Sequence, residues 1–160
     1  MTAGPGVRNA VHRLERQQFV PRPRDEVFAF FSDARNLEML TPAFLNFRIL
    51  TPLPLDMRSG ILIDYQIRLG GIPMRWRTRI ETFEAPVRFV DVQLAGPYRN
   101  WHHVHEFQDA PGGTLVVDRV TYALPFGFLG ALAHRLFVRR ALERIFDYRQ
   151  QRLAEIFPGA

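Results

Sequence analysis

Between residues 47 and 124 the apolar residues recur with a period of two, and that alternation limits what the chain can fold into more than any other feature. Ile61, Ile63, Tyr65, Ile67 and Leu69 alternate with Leu62, Asp64, Gln66 and Arg68, ahead of Gly70 and Gly71. Such alternation builds a strand with one apolar and one wet face, and paired glycines suit a tight hairpin turn. Met74, Trp76, Thr78, Ile80 and Thr82 then alternate with Arg75, Arg77, Arg79 and Glu81 before a turn at Ala85 and Pro86. On the next strand Val90, Val92 and Leu94 are expected on one face, with Asp91 and Gln93 on the other. Beyond Gly96 and Pro97, Trp101, His103, His105 and Phe107 share a face. After Pro111, Gly112 and Gly113, so do Val116, Asp118, Val120, Tyr122 and Leu124. Strands joined by short turns predict an antiparallel meander of about six strands, whose apolar face needs a cover.

The cover is expected from the C-terminus. Beyond Pro125 and Gly127 about 28 residues run to Phe157 without proline, enough for a helix about 40 Å long. Leu132, Leu136, Ala141, Leu142, Ile145, Leu153 and Ile156 supply its apolar stripe, with Arg139, Arg140, Arg144 and Arg152 largely outside it. Upstream of the meander, residues 1–11 read as a loose, flexible tail and 12–20 as a first strand stopped by Pro21 and Pro23. Asp25 and Glu26 favour a helix start there. Its residues Val27, Phe28, Phe30 and Phe31 are apolar on most sides, so that helix should be wedged between other elements. Ser32 or Asp33 can cap a second short helix over 34–40, ended by Thr41 and Pro42.

The chain has 160 residues, the size of one domain, assigned here to 12–158. With 47% hydrophobic and 12% aromatic residues it can fill a core, which excludes intrinsic disorder. It has no cysteine, which excludes disulfides, a thiol nucleophile and a thiolate metal site. No apolar run reaches the roughly 20 residues of a membrane-spanning helix, and residues 1–10 lack a secretory leader's apolar stretch, so a cytoplasmic location is expected. All 21 cations are arginine against 16 acids, net +5. The absence of lysine reads as codon bias, so charge by itself names no partner.

The order strand, two short helices, meander and long helix is joined by three phrases. These are PRPRDEVFAFFSDARNLEMLTP near the start, WHHVHEF in the middle and GGTLVVDRVTYALPFG before the last helix. Together they resemble the START-like, or SRPBCC, superfamily over residues 12–157, and most of all its polyketide cyclase/dehydrase and lipid-transport group. The resemblance implies an α+β helix-grip fold: a curved antiparallel sheet wrapped round a long C-terminal helix, with an apolar cavity between them. It also implies a small hydrophobic ligand such as a lipid, polyketide or quinone. It carries over no catalytic residue, because the superfamily shares no single catalytic motif.

The sharpest local feature is polarity aimed inward. His103 and His105 lie on an apolar strand face, and the turn after Asp109 returns the chain so that Asp118 falls opposite one of them, one register step deciding which. Buried without partners these groups would cost several kcal/mol, so they must bond one another, a water or a ligand. A satisfied core network, a ligand-orienting or acid/base group, and a metal site are all open. Two histidines and Asp118 could make a facial triad, but no further inward ligand is evident, so no metal and no cofactor is assigned. Tyr65, Thr78 and Tyr122 are the other polar candidates for the cavity, with Trp76 and Trp101 as aromatic lining.

Arg75, Arg77 and Arg79 form a basic stripe. The register expected across the two hairpins sets Arg79 near Asp64 and near Asp91, and no aromatic residues interleave with the stripe, so a solvated outer face is expected and no nucleic acid. Pro125-Phe126-Gly127-Phe128-Leu129-Gly130 precedes Arg135, Arg139 and Arg140. There Phe126 and Phe128, with Leu132, either cap the cavity or touch a membrane surface transiently. The expected function is binding of a small hydrophobic molecule under the C-terminal helix. One alternative is a cyclase or dehydratase using His103 or His105 with Asp118, and the other a protein-interaction or stress module. The sequence does not set the oligomeric state.

Overall fold

The computed structural model describes residues 10–159. Strand β1 (Val11–Val20) leads through Pro21 and Pro23 into helix α1 (Arg24–Ser32), followed by 3₁₀ turns at Ala34–Asn36 and Ala43–Leu45. The meander comprises β2 (Arg48–Ile49), β3 (Leu62–Leu69), β4 (Ile72–Glu84), β5 (Arg88–Ala95), β6 (Asn100–Ala110) and β7 (Gly113–Ala123). A helical run ends the chain: α2 (Gly127–Ala133), a π turn (His134–Val138) and α3 (Arg139–Ile156). The strands form one curved antiparallel sheet in the order β1-β7-β6-β5-β4-β3-β2, so the first strand closes against the last. This is the α+β helix-grip fold. Among the described residues no helix is long and apolar enough to cross a membrane. Most of the expected tail, 1–11, lies outside the described residues, and Val11 already belongs to β1.

Local chemistry explains most boundaries. Gly70 and Gly71 both have positive φ, 57° and 84°, as a two-residue hairpin turn between right-twisted strands demands. The second short helix contracts to Ala34–Asn36: Asp33 caps it, accepting from the Arg35 N–H at 3.0 Å, and the bonds that follow are of the i→i+3 kind, Leu37 N to Ala34 O and Leu40 N to Leu37 O. With Pro42 close behind, the segment cannot settle into an α-helix.

The β4–β5 pairing departs from the expected register. Ile80 faces Asp91 and Thr82 faces Val90, so Glu81 is an extra residue, a β-bulge that reverses the in/out phase along β4. On its far side Phe83 faces Phe89, and from Phe89 the alternation runs inward through Asp91. Asp91 therefore points into the fold and not at Arg79, and Leu94 is the exposed residue. Arg79 does not reach Asp64 either: Asp64 pairs in register with Arg77, bonded at 2.7 and 2.9 Å, and Arg79 lies 3.4 Å from Glu81.

The core has two parts. Phe28 on α1 meets Phe107 and Phe89 edge-on at 5.2 and 5.9 Å, and Val20, Val27, Phe31, Val116 and Leu153 complete a phenylalanine-rich cluster. Beside it Val120 and Tyr122 of β7 pack on Leu142 and Phe146 of α3. The expected stripe of the helical run is thus buried only in its second half: Leu132 and Leu136 are 45% and 49% exposed, against 3% for Leu142 and 2% for Leu153.

Candidate functional site

A cavity of about 200 Å³ lies between the sheet and α3. Phe31, Leu40, Ile63, Ile67, Leu142 and Phe146 make much of its wall apolar. Tyr65, Trp76, Thr78, Trp101, His103 and His105, expected there from the alternation, all line it. The inner faces of β3, β4 and β6 bring them together, and the aromatic rings form a box: Trp76 stacks on Tyr65 at 5.6 Å and meets Trp101 edge-on at 5.3 Å, with Tyr98 at 5.4 Å. The Tyr65 hydroxyl lies 3.3 Å from Thr78 Oγ1, and burial pushes it up, so it stays a neutral donor. The Trp76 indole Nε1–H is buried and has no partner among the described residues.

Four other expectations are corrected. Asp118 stands behind the two imidazoles and does not line the cavity, because β7 is one strand further from it than β6. Tyr122 is buried but turned away, its hydroxyl 2.8 Å from His134 Nε2. Phe128 is 72% exposed and Leu132 faces solvent beside it, and neither lines the cavity. Their side chains face solvent, so neither caps it. Tyr98 and two charged cavity residues escaped the sequence: Asp91, for the reason of phase above, and Arg149, which falls at helical spacing on the face of Leu142, Phe146 and Leu153 and so marks a cation inside an apolar stripe.

These residues complete a buried charged cluster. In register Asp118 lies opposite His105, yet its Oδ1 serves both histidines, 2.9 Å from His103 Nε2 and 3.1 Å from His105 Nδ1. On their cavity side, Asp91 Oδ2 is 2.7 Å from His105 Nε2 and 3.6 Å from His103 Nδ1. The Arg149 Nη2 is 3.4 Å from His105 Nδ1 and 3.7 Å from Asp118 Oδ1, and its guanidinium lies over the Phe31 ring at 4.8 Å. Burial opposes ionisation of Asp118, but Arg149 and the two imidazoles outweigh it and hold the carboxyl well below its usual range. Asp91 is likewise held down despite burial, by His103 and His105. Burial and the neighbouring His105 lower His103, whereas at His105 the bonds to Asp118 and Asp91 overcome burial and raise it. Two carboxylates, one guanidinium and one imidazolium give a cluster without net charge, and this neutrality makes its burial tolerable.

A helix-grip sheet with an apolar cavity and a polar wall is a ligand-binding design, and residues 20–147 match the family model for polyketide cyclase / dehydrase and lipid transport. The chain belongs to this family. A solved protein of Chromobacterium violaceum superposes with TM-score 0.71 at 11% identity, over 92% of this chain and 98% of its own. One from Thermus thermophilus gives 0.61 at 20%, over 91% and 99%. The nucleoside-diphosphate sugar epimerase of Corynebacterium glutamicum is 29% identical with TM-score 0.63, over 89% of this chain but 28% of the epimerase, so the likeness covers just over a quarter of that enzyme. No curated protein matches the sequence. The polyketide cyclase/dehydrase and lipid-transport family shares the fold and a ligand-binding role.

Proposed function

We propose that this protein binds a small, mostly apolar molecule of the polyketide, quinone or acyl-lipid kind that carries at least one hydrogen-bond acceptor. The observation that carries this reading is the buried Trp76 N–H, left without a partner in an apolar cavity. An unpaired buried donor costs about 1–3 kcal/mol, which an acceptor on the ligand recovers. Transfer of the ligand's apolar surface from water, at about 25 cal/mol per Å², supplies the rest of the affinity. Tyr65, Thr78 and the Asp91–His103 edge orient the molecule within the aromatic box. A cyclase or dehydratase is the second reading, favoured by His103 and Asp91 standing at the cavity wall, where a proton could be exchanged with a bound carbonyl compound.

Loading takes place at an anionic lipid surface. Phe126, Phe128, Leu129 and Phe137 are 81%, 72%, 61% and 70% exposed on one short helical stretch, with the exposed cations Arg135, Arg139 and Arg140 beside them. Apolar side chains flanked by arginines match an interface of acyl chains and negative headgroups.

Native mass spectrometry of freshly purified protein tests the ligand. One organic molecule per chain, released on denaturation, is expected, and a chain that carries none and takes up none from a lipid extract would refute the reading. Conversion of the released compound to a product differing by water, on return to the protein, would establish the second reading.

A further inference from the structure

We propose that Asp91, His103 and His105 form a binding site for one divalent cation of the borderline class, Zn²⁺ or Fe²⁺, set in the cavity wall with its free coordination positions open to the cavity. The inference goes beyond ligand binding and does not depend on it.

The geometry at Asp118 carries the proposal. An ionised carboxylate only accepts, so His103 Nε2, 2.9 Å from Asp118 Oδ1, bears a proton, and His105 Nδ1, 3.1 Å from the same oxygen, bears one whenever it bonds Asp118 and not the donating Arg149 Nη2 at 3.4 Å. Neutral imidazole then carries its lone pair on the opposite nitrogen. Once His105 Nε2 gives up the proton it shares with Asp91, His103 Nδ1 and His105 Nε2 both face the ionised Asp91 as acceptors. Three acceptor atoms that all lie within 4.8 Å of one another repel unless something positive sits among them. A proton on His105 Nε2 satisfies the 2.7 Å contact alone and leaves His103 Nδ1 facing Asp91 Oδ2 at 3.6 Å with no hydrogen between them. A cation satisfies all three at once.

The dimensions agree. Ligand bonds of about 2.0–2.2 Å place neighbouring donor atoms about 3.0–3.4 Å apart, and the contacts of 2.7 and 3.6 Å to Asp91 Oδ2 bracket that spacing. Asp118 and Arg149 supply the outer support such a site needs, since a carboxylate that bonds the far nitrogen of each ligand histidine fixes its tautomer and ring orientation. Two imidazoles and one carboxylate are the donor set of borderline divalent ions, whereas Mg²⁺ and Ca²⁺ prefer oxygen alone. The sequence concealed the site because Asp91 was expected outside, which left two histidines without a third ligand on the cavity side.

The experiment uses the full chain, treated with a chelator, returned to metal-free buffer and given no organic ligand. Zn²⁺ is titrated by calorimetry and Co²⁺ by visible absorption. One equivalent of each should bind, Co²⁺ with the visible bands of nitrogen and oxygen coordination, and a large excess of Mg²⁺ should not compete. Asp91→Asn preserves the side chain's shape, and His103→Gln keeps a polar group; each variant that shows a native melting transition should bind Zn²⁺ at least tenfold more weakly, the scale of losing one part of a metal site. A folded native chain that binds neither Zn²⁺ nor Co²⁺ would overturn the proposal. So would Zn²⁺ binding of unchanged strength in Asp91→Asn, which would place the ion elsewhere. Because no organic molecule is present, either result leaves the hydrophobic ligand to be tested separately.

Discussion

The two halves of the C-terminal helical run have opposite fates, and the first half, the richer in apolar residues, is the exposed one. In α3, Leu142, Phe146 and Leu153 are at most 4% exposed: the first two line the cavity and belong to the second part of the core, and Leu153 belongs to the phenylalanine-rich cluster. In α2 and the π turn, Phe128 and Phe137 are at least 70% exposed. Apolar composition therefore does not decide burial. What decides it is what packs underneath: α3 lies on β7 through Leu142 and Phe146, whereas the first half is held to the strands through His134, which meets Tyr122 and His12. One helix thus serves stability with one end and is free for a partner with the other.

The largest effect should come from cutting into the buried half. Leu153→Ala is expected to cost about 2–5 kcal/mol of unfolding free energy, while Phe137→Ala stays within about 0.5 kcal/mol, both read from urea denaturation. Equal losses at the two positions would erase the distinction.

Next in size is the lipid contact. The native chain should co-sediment with vesicles containing anionic phosphatidylglycerol and ignore pure phosphatidylcholine, and Phe128→Ser with Phe137→Ser should lower that binding at least tenfold, roughly the transfer energy of the two rings after partial insertion. Self-association that buries the patch in solution would instead assign the surface to a second copy of the chain.

A smaller change is expected with pH. Burial holds the imidazoles of His12 and His134 below their usual 6.5, with His12 and Arg139 lowering His134 further, and the two rings stack at 3.5 Å. The unfolded chain takes up protons near 6.5, and folding must expel them. The contact is therefore at full strength above about 6.5 and weakens as pH falls through the lowered folded values. Hydrogen exchange of α2 should accelerate on acidification before that of α3 does; simultaneous acceleration would contradict the tether.

Least should happen on the sheet's outer face. Double charge reversal at Arg75 and Arg77 should leave the melting midpoint and any nucleic-acid affinity where they were, because Arg77 is matched by Asp64 on an exposed surface. Tight salt-sensitive binding of DNA or RNA by the native chain, lost in the variant, would show that this stripe is a binding surface after all.

What the sequence revealed and what it hid follow from periodicity. The alternation in β3, β6 and β7 is uninterrupted, so His103, His105, Trp101 and the inward side of Asp118 were legible, and the 15-residue separation of His103 from Asp118 spans a tight hairpin. In β4 the extra residue Glu81 breaks the alternation, and such a bulge has no signature in a single sequence. The apolar residues Val90, Val92 and Leu94 then suggested the wrong face for β5, and Asp91 was lost to the outside. Arg149 was hidden differently, since an arginine within an apolar stripe is indistinguishable from one at its margin until the acid it meets is known. The exposed half of the last helix was misplaced for a third reason: a stripe shows which face is apolar, and not what packs beneath it.

The chain's two tryptophans, Trp76 and Trp101, both line the cavity, so intrinsic fluorescence reports on its contents without a label. Titration of ligand-stripped protein with fused-ring carbonyl compounds of the quinone and polyketide kind is the most direct measurement. A saturable change in tryptophan emission at one molecule per chain, with Trp76→Phe binding the same compound several-fold more weakly through the surviving Trp101 signal, is the result predicted. A folded protein whose tryptophan emission stays constant across the whole series would contradict a ligand in this cavity.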